Sequence, residues 1–230
     1  QTAAMELRQT RVTGAPLTVN LIDGKLFVFT NSLFLEYKIG DCNLPNLRIF
    51  KDAIDVLRAF DTAPSELWIN DCAFSFELKN DQQLVFVKRG IAGPIWYGDP
   101  LTDARSKTID RYWHTKSATV VEKETRRSVR RALSSAKVHR DVYVTPGCVV
   151  SRMKSLDDVD DYTSEHIDDF PNNVTRPMRF DRNAFASMIK VATEIDFTTS
   201  PVCFRHELGR GLLIERTLGS DVPDFENADA

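Results

Sequence analysis

The chain has 230 residues, 42% of them hydrophobic, with 30 Lys and Arg against 33 Asp and Glu for a formal net charge of −3. That composition suits a soluble globular protein of one or two domains, and the acidic balance by itself argues against a chain that grips nucleic acid tightly. No apolar run reaches the ~20 residues that span a bilayer, and no basic-then-apolar leader opens the chain, which argues against secretion and for the cytoplasm.

The first predicted element is a short helix near residues 4–10, followed by strands over 17–22, 25–30 and 33–39. Asp23-Gly24 between the first two strands is a strong hairpin signal. A second helix is predicted over 47–60, where Phe50, Ala53, Ile54, Leu57 and Phe60 recur at the spacing of one helical face. Strand-like runs follow at 66–70, 73–79 and 83–88. Residues 90–107 carry Gly93-Pro94 and Gly98-Asp99-Pro100 with few periodic apolar positions, the composition of a connector.

Beyond the connector the pattern returns. A helix is predicted around 122–136, with Val129, Ala132, Leu133 and Ala136 facing inward. Strands over 141–145 and 148–154 flank the turn Pro146-Gly147, and a ragged strand runs through 162–167. The last helix is predicted over 180–195, with Asp181 as its N-cap and Phe185, Met188, Ile189, Ala192 and Ile195 as its buried face. Strands over 201–207 and 211–218 close the pattern, with Gly209-Arg210-Gly211 read as a hairpin turn.

A helix followed by short strands, three in the fullest copies, therefore recurs in degenerate form about four times. Each unit buries its apolar face only against a neighbour, so the repeat defines the architecture. The expected division is one domain over 1–90, a connector over 91–108, a second domain over 109–220 and an acidic tail over 221–230.

Charge is segregated along the chain. Lys123, Arg126, Arg127, Arg130, Arg131 and Lys137 crowd one helix, whereas Asp157, Asp158, Asp160, Asp161, Glu165, Asp168 and Asp169 crowd one segment. Arg8, Arg11, Arg48, Lys51, Arg58, Arg179, Arg182 and Lys190 add cations to the other helices, and Asp221, Asp224, Glu226 and Asp229 populate the tail. One basic helix is most simply a solvated face; basic residues on four helices, with acids in loops and tail, form a divided field.

Catalytic and metal-binding patterns are weak. Cys42, Cys72, Cys148 and Cys203 are scattered singly, which argues against a zinc ribbon or a disulfide scaffold and for free thiols in a reducing compartment. His139 lies near Cys148 in sequence without a third orienting group. Cys203 and His206 would point to opposite faces of a strand. The run Asp157-Asp158-Val159-Asp160-Asp161 lacks the Gly and the Glu that a calcium loop needs and reads as a solvated acidic loop. Nothing here makes a case for an enzyme.

Four helix-plus-three-strand units in two domains, in a chain of this length, resemble the DNA sliding clamps, above all the two-domain subunits of the T4-like phage clamp and of the eukaryotic and archaeal clamp. The resemblance implies an α+β fold of two similar domains, with helices on an inner face and antiparallel sheets outside. It also implies a non-enzymatic processivity factor without cofactor, closed head to tail as a homotrimer around duplex DNA. The helix cations would then line the hole and meet phosphates loosely, without reading sequence. Candidates are Arg8, Arg48, Lys51, Arg58, Lys123, Arg126, Arg127, Arg130, Arg182 and Lys190. A DNA polymerase and a clamp loader would insert short apolar peptides beside the connector, against Ile91, Pro94, Ile95, Trp96, Tyr97 and Phe225. For Trp96 and Tyr97 the competing reading is an extension of the first domain's sheet. Two other functions compete: a monomeric viral-type processivity factor held on DNA by charge, and a non-enzymatic α+β protein whose basic helix contacts an acidic partner.

Overall fold

This computed structural model describes residues 18–40, 46–50, 66–69, 73–78, 82–87, 95–96, 107–135, 140–154, 160–166, 170 and 173–218. The chain forms two compact units, one of Gln1–Val28 and Lys38–Lys107, the other of Phe29–Tyr37 and Thr108–Ala230.

In the first unit, β1 (Thr18–Ile22) and β2 (Lys25–Phe29) form the expected antiparallel hairpin. Asp23 and Gly24 both take positive φ, 49° and 72°, the twist that a two-residue turn needs to match its strands. The other edge of β1 is taken by β4 (Leu47–Phe50), with Leu47 opposite Leu21 and Phe50 opposite Thr18. β4 pairs in turn with β8 (Ile95–Trp96), Arg48 facing Trp96 in register. A separate antiparallel sheet has the order β5 (Glu66–Ile69), β6 (Ala73–Leu78), β7 (Gln82–Val87).

This corrects the helix predicted over 47–60 at its start, because Leu47-Arg48-Ile49-Phe50 is a strand. Four residues are too few to separate period 2 from period 3.6, and the open backbone groups along β1 supply the partner that decides between them. Residues 51–60 lie outside the described residues, as does the helix predicted near 4–10. The connector also contains regular structure, the strand β8 at Ile95–Trp96, and residues 107–112, which run from its end into the expected second domain, are helical.

The second unit holds two copies of one motif. The first is β9 (Thr119–Val120), α1 (Lys123–Ser135), β10 (Asp141–Thr145), β11 (Cys148–Lys154) and β12 (Asp160–His166). The second is β13 (Met178–Asp181), α2 (Arg182–Val191), β14 (Ala192–Asp196), β15 (Val202–His206) and β16 (Gly209–Leu213). The sequence reading missed the short leading strand of each copy, and that strand is exchanged. β13 pairs with β10 of the first copy, and β9 pairs with β14 of the second. One sheet thus runs β12-β11-β10-β13. The other joins β9, β14, β15 and β16 to β3 (Leu33–Lys38), with Leu33 opposite Leu213 and Tyr37 opposite Gly209.

Between the sheets and the helices lies an apolar core that includes Val129, Leu133, Val142, Phe180, Phe185, Met188, Ile189, Phe204 and Leu212, all buried. Phe180 and Phe185 stack with ring centroids 5.6 Å apart. Asp181 caps α2 as expected, its Oδ1 accepting from the backbone N–H groups of Asn183 (3.0 Å) and Ala184 (3.1 Å).

Three other boundaries differ from expectation. The helix predicted over 180–195 is shorter at both ends: Phe180 and Asp181 belong to β13, and Ala192 and Ile195 to β14. Both of the latter are buried, as expected, but in a sheet. Asp160 and Asp161 belong to β12, opposite Lys154 and Met153, rather than to a loop. Gly209-Arg210-Gly211 is the start of β16, and the turn is Glu207-Leu208. These glycines serve close approach: a Cβ on Gly209 would lie 2.0 Å from the carbonyl oxygen of Glu36, and one on Gly211 would lie 2.2 Å from the ring of Phe204. Among the described residues no helix is long and apolar enough to cross a membrane.

Candidate nucleic-acid interface

The helix α1 carries its charge on one side because its apolar residues fix the other. Val129, Ala132 and Leu133 are buried, and α1 packs against α2. Lys123, Arg127, Arg130 and Arg131 are exposed on the opposite side, and Arg126 is half-buried. Glu124 is the acidic residue of this helix and pairs with Arg127 at 2.8 Å. Both partners are largely exposed, so the pair adds at most about 1 kcal/mol and leaves the face strongly positive.

On α2 the cations are placed differently. Lys190 is half-buried in the last turn. Arg182 turns back into the protein, and its Nη2 donates to the carbonyl oxygen of Leu133 in the last turn of α1. Burial lowers the pKa of Arg182 from the ordinary arginine value. Arg126 donates through Nη1 to the carbonyl oxygen of Ala192, 3.4 Å away. Arg179, on β13, pairs with Asp141 at 2.7 Å and lies over the ring of Tyr143.

The structure therefore brings Lys123, Arg126, Arg127 and Arg130 together on α1, with Arg182 and Lys190 on the neighbouring helix. Arg48 lies on β4 rather than on a helix, and Ile95 and Trp96 form β8. Arg8, Lys51, Arg58, Ile91, Pro94, Tyr97 and Phe225 lie outside the described residues. Cys148 and Cys203 are free thiols. Among the described residues no group of three or more His, Cys, Asp and Glu side chains converges as a metal site would require.

Sequence reasoning missed the ionic network behind α2. Asp181 accepts from Arg216 through Oδ2 at 2.5 Å, and Arg216 also meets Asp141, which holds Arg179. These partners are 35 to 75 residues apart in sequence, so no local pattern marks them.

Strand-helix-three-strand motifs repeated with exchanged leading strands define a fold, and solved structures identify it. No protein-family model matches the chain, and no curated protein matches it by sequence. The DNA polymerase sliding clamp of Caulobacter crescentus matches with a TM-score of 0.59 at 10% identity, over 94% of this chain and 64% of that one. The Helicobacter pylori beta clamp, solved with a DNA ligase peptide, matches with a TM-score of 0.58 at 11% identity, over 94% and 63%. The Pseudomonas aeruginosa sliding clamp, solved with griselimycin, matches with a TM-score of 0.57 at 8% identity, over 88% and 57%. The chain thus has the sliding-clamp fold, and it spans less than two thirds of the length of each of these clamps.

Proposed function

We propose that this chain is a subunit of a DNA sliding clamp, a processivity factor that encircles duplex DNA as a head-to-tail trimer and tethers a DNA polymerase and its loader. The observation that carries this reading is the cationic face of α1 on a sliding-clamp fold. A clamp must stay on DNA and still move, so it needs topology rather than affinity. Exposed Lys and Arg side chains exchange phosphate contacts without reading bases, and each neutralised phosphate releases counterions. The separation of acidic from basic residues along the sequence supports the same reading, because an acidic exterior disfavours DNA on the outside. The protein needs no cofactor and catalyses no reaction in this role.

Closure of a ring requires open sheet edges on each subunit. Among the described residues β12 pairs only with β11, and β5 and β7 each only with β6, so these edges are candidates for the joint. The peptide-bound clamp of Helicobacter pylori supports a partner-peptide groove, and we assign it to the segment around Ile95 and Trp96.

The test is sedimentation across a range of concentrations, followed by retention on nicked circular DNA before and after linearisation. A species of three subunits that is retained on circles and lost from linear ends is expected. The concentration of cations on α1 favours one alternative, a monomer held on DNA by charge. That protein would stay a monomer and bind circles and linear duplex alike.

A further inference from the structure

Two arginines that look alike in sequence to the other helix cations are placed differently from them. Arg126 sits in the first turn of α1 and donates to the carbonyl of Ala192, the C-cap residue of α2. Arg182 is the first residue of α2 and donates to the carbonyl of Leu133, in the last turn of α1. The two contacts mirror each other across the pair of motifs. In each, a guanidinium at the start of one helix reaches the end of the other. Helix ends leave carbonyls that no residue of the same helix can satisfy, and they carry the negative end of the helix dipole. A planar, always charged donor suits that position.

Surrounding contacts strengthen the arrangement at both ends. The backbone N–H of Arg182 donates to Arg140 at 2.9 Å, so Arg182 holds the chain on both sides of the connection between α1 and β10. The N–H of Val121, just before α1, donates to Thr193 at 2.8 Å beside the Arg126 contact. Arg126 and Arg182 are both half-buried, whereas Lys123, Arg127 and Arg130 are exposed.

We propose that Arg126 and Arg182 are reciprocal caps that position the two helices, and that, if the clamp reading above holds, the phosphate contacts of this helix pair are made by Lys123, Arg127 and Arg130 instead. The cap residues act on DNA only through the helices they hold. In sequence a cap and a phosphate contact look alike because they share one residue type.

Two readouts on the full chain separate the roles. One is the slope of log affinity against log salt on a nonspecific duplex, and the other is amide hydrogen exchange. R182Q is expected to speed exchange in the last turn of α1 by about five- to tenfold while leaving the salt slope unchanged. R126Q is expected to do the same at the C-terminal end of α2. R130Q should lower the slope by roughly one with exchange unchanged. R182K, which keeps the charge but loses the planar fork, should keep the slope and fall between in exchange. A slope lowered by about one in R182Q, with exchange at wild-type rates, would overturn the assignment. If R182Q does not fold, R126Q carries the same two readouts through a longer contact. Absence of duplex binding by the unaltered protein would overturn the phosphate half of the assignment, and failure to be retained on circular DNA would overturn the clamp reading. Faster exchange in R182Q would still uphold the caps.

Discussion

Arg210 forks onto Glu36, with Nε 3.1 Å from Oε1 and Nη2 3.2 Å from Oε2, and the Glu36 side chain is only 1% exposed. The pair crosses from β16 to β3, where the two residues are opposite in register. Arg210 also reaches Asp110 and lies over the ring of Trp113 at 5.2 Å, so one guanidinium ties β3, β16 and the helical turn at 107–112 together. Removing it takes two charge-assisted hydrogen bonds from a buried carboxylate. Arg210→Ala is expected to cost about 3–5 kcal/mol in urea unfolding, and Glu36→Leu combined with Arg210→Met much less, because the double change removes the buried carboxylate together with its guanidinium. Equal losses in the two proteins would mean that packing, not charge pairing, holds this seam.

The carboxylate of Asp196 makes stability depend on pH. Burial pushes its pKa up, but the Thr198 hydroxyl and the backbone N–H groups of Ser117, Lys116 and Thr198 outweigh burial and hold it below the ordinary 3.8. A group with a depressed folded pKa contributes fully above its unfolded value and loses that contribution as pH falls through the folded one. Unfolding free energy should therefore drop from about pH 4 downward. Asp196→Ala should flatten that drop and cost on the order of 2–3 kcal/mol at pH 7. A variant with the wild-type acid limb would assign the loss to other carboxylates.

Gly211 has no room for a methyl group. Gly211→Ala would bring its Cβ to 2.6 Å from the backbone oxygen of Phe34 as well as against the Phe204 ring, so β16 must shift away from β3. A loss of about 3 kcal/mol is expected, read as a lower denaturant midpoint. Phe204→Leu in the same background should recover part of it by withdrawing the ring. No recovery would place the strain on the backbone contact alone.

The exposed cations of α1 should act as a group. Replacing Lys123, Arg127 and Arg130 together by Gln should leave the fold intact, because all three side chains are exposed. The salt slope on duplex DNA should fall by roughly 2–3. An unchanged slope, with normal unfolding, would remove α1 from the DNA interface.

Much of the second unit was legible in sequence because its signals are local. The buried face of α1 follows from Val129, Ala132 and Leu133 at helical spacing, and Asp181 announces α2 by the chemistry of its own cap. Asp23-Gly24 announces a turn because both residues tolerate positive φ. β4, β9 and β13 were not legible. Strands of two to four residues show too little alternation to stand out, and each forms because a longer strand offers it an open edge. The candidate site divides in the same way: the row of cations on α1 is visible in sequence, whereas the turning inward of Arg126 and Arg182 is not.

The sequence by itself determined the repeated apolar pattern, the helix start at Asp181, the hairpin at Asp23-Gly24 and the concentration of positive charge on α1. Each depends on residues within one or two turns of chain, where spacing alone sets which side chains share a face. Only the tertiary structure decided that leading strands are exchanged, that Gly209 and Gly211 lie where strands crowd, and that Glu36 takes Arg210 while Asp181 takes Arg216. Those outcomes join residues far apart in the chain. They follow from buried polar groups finding partners and from backbones packing at contact distance, which no local spacing encodes.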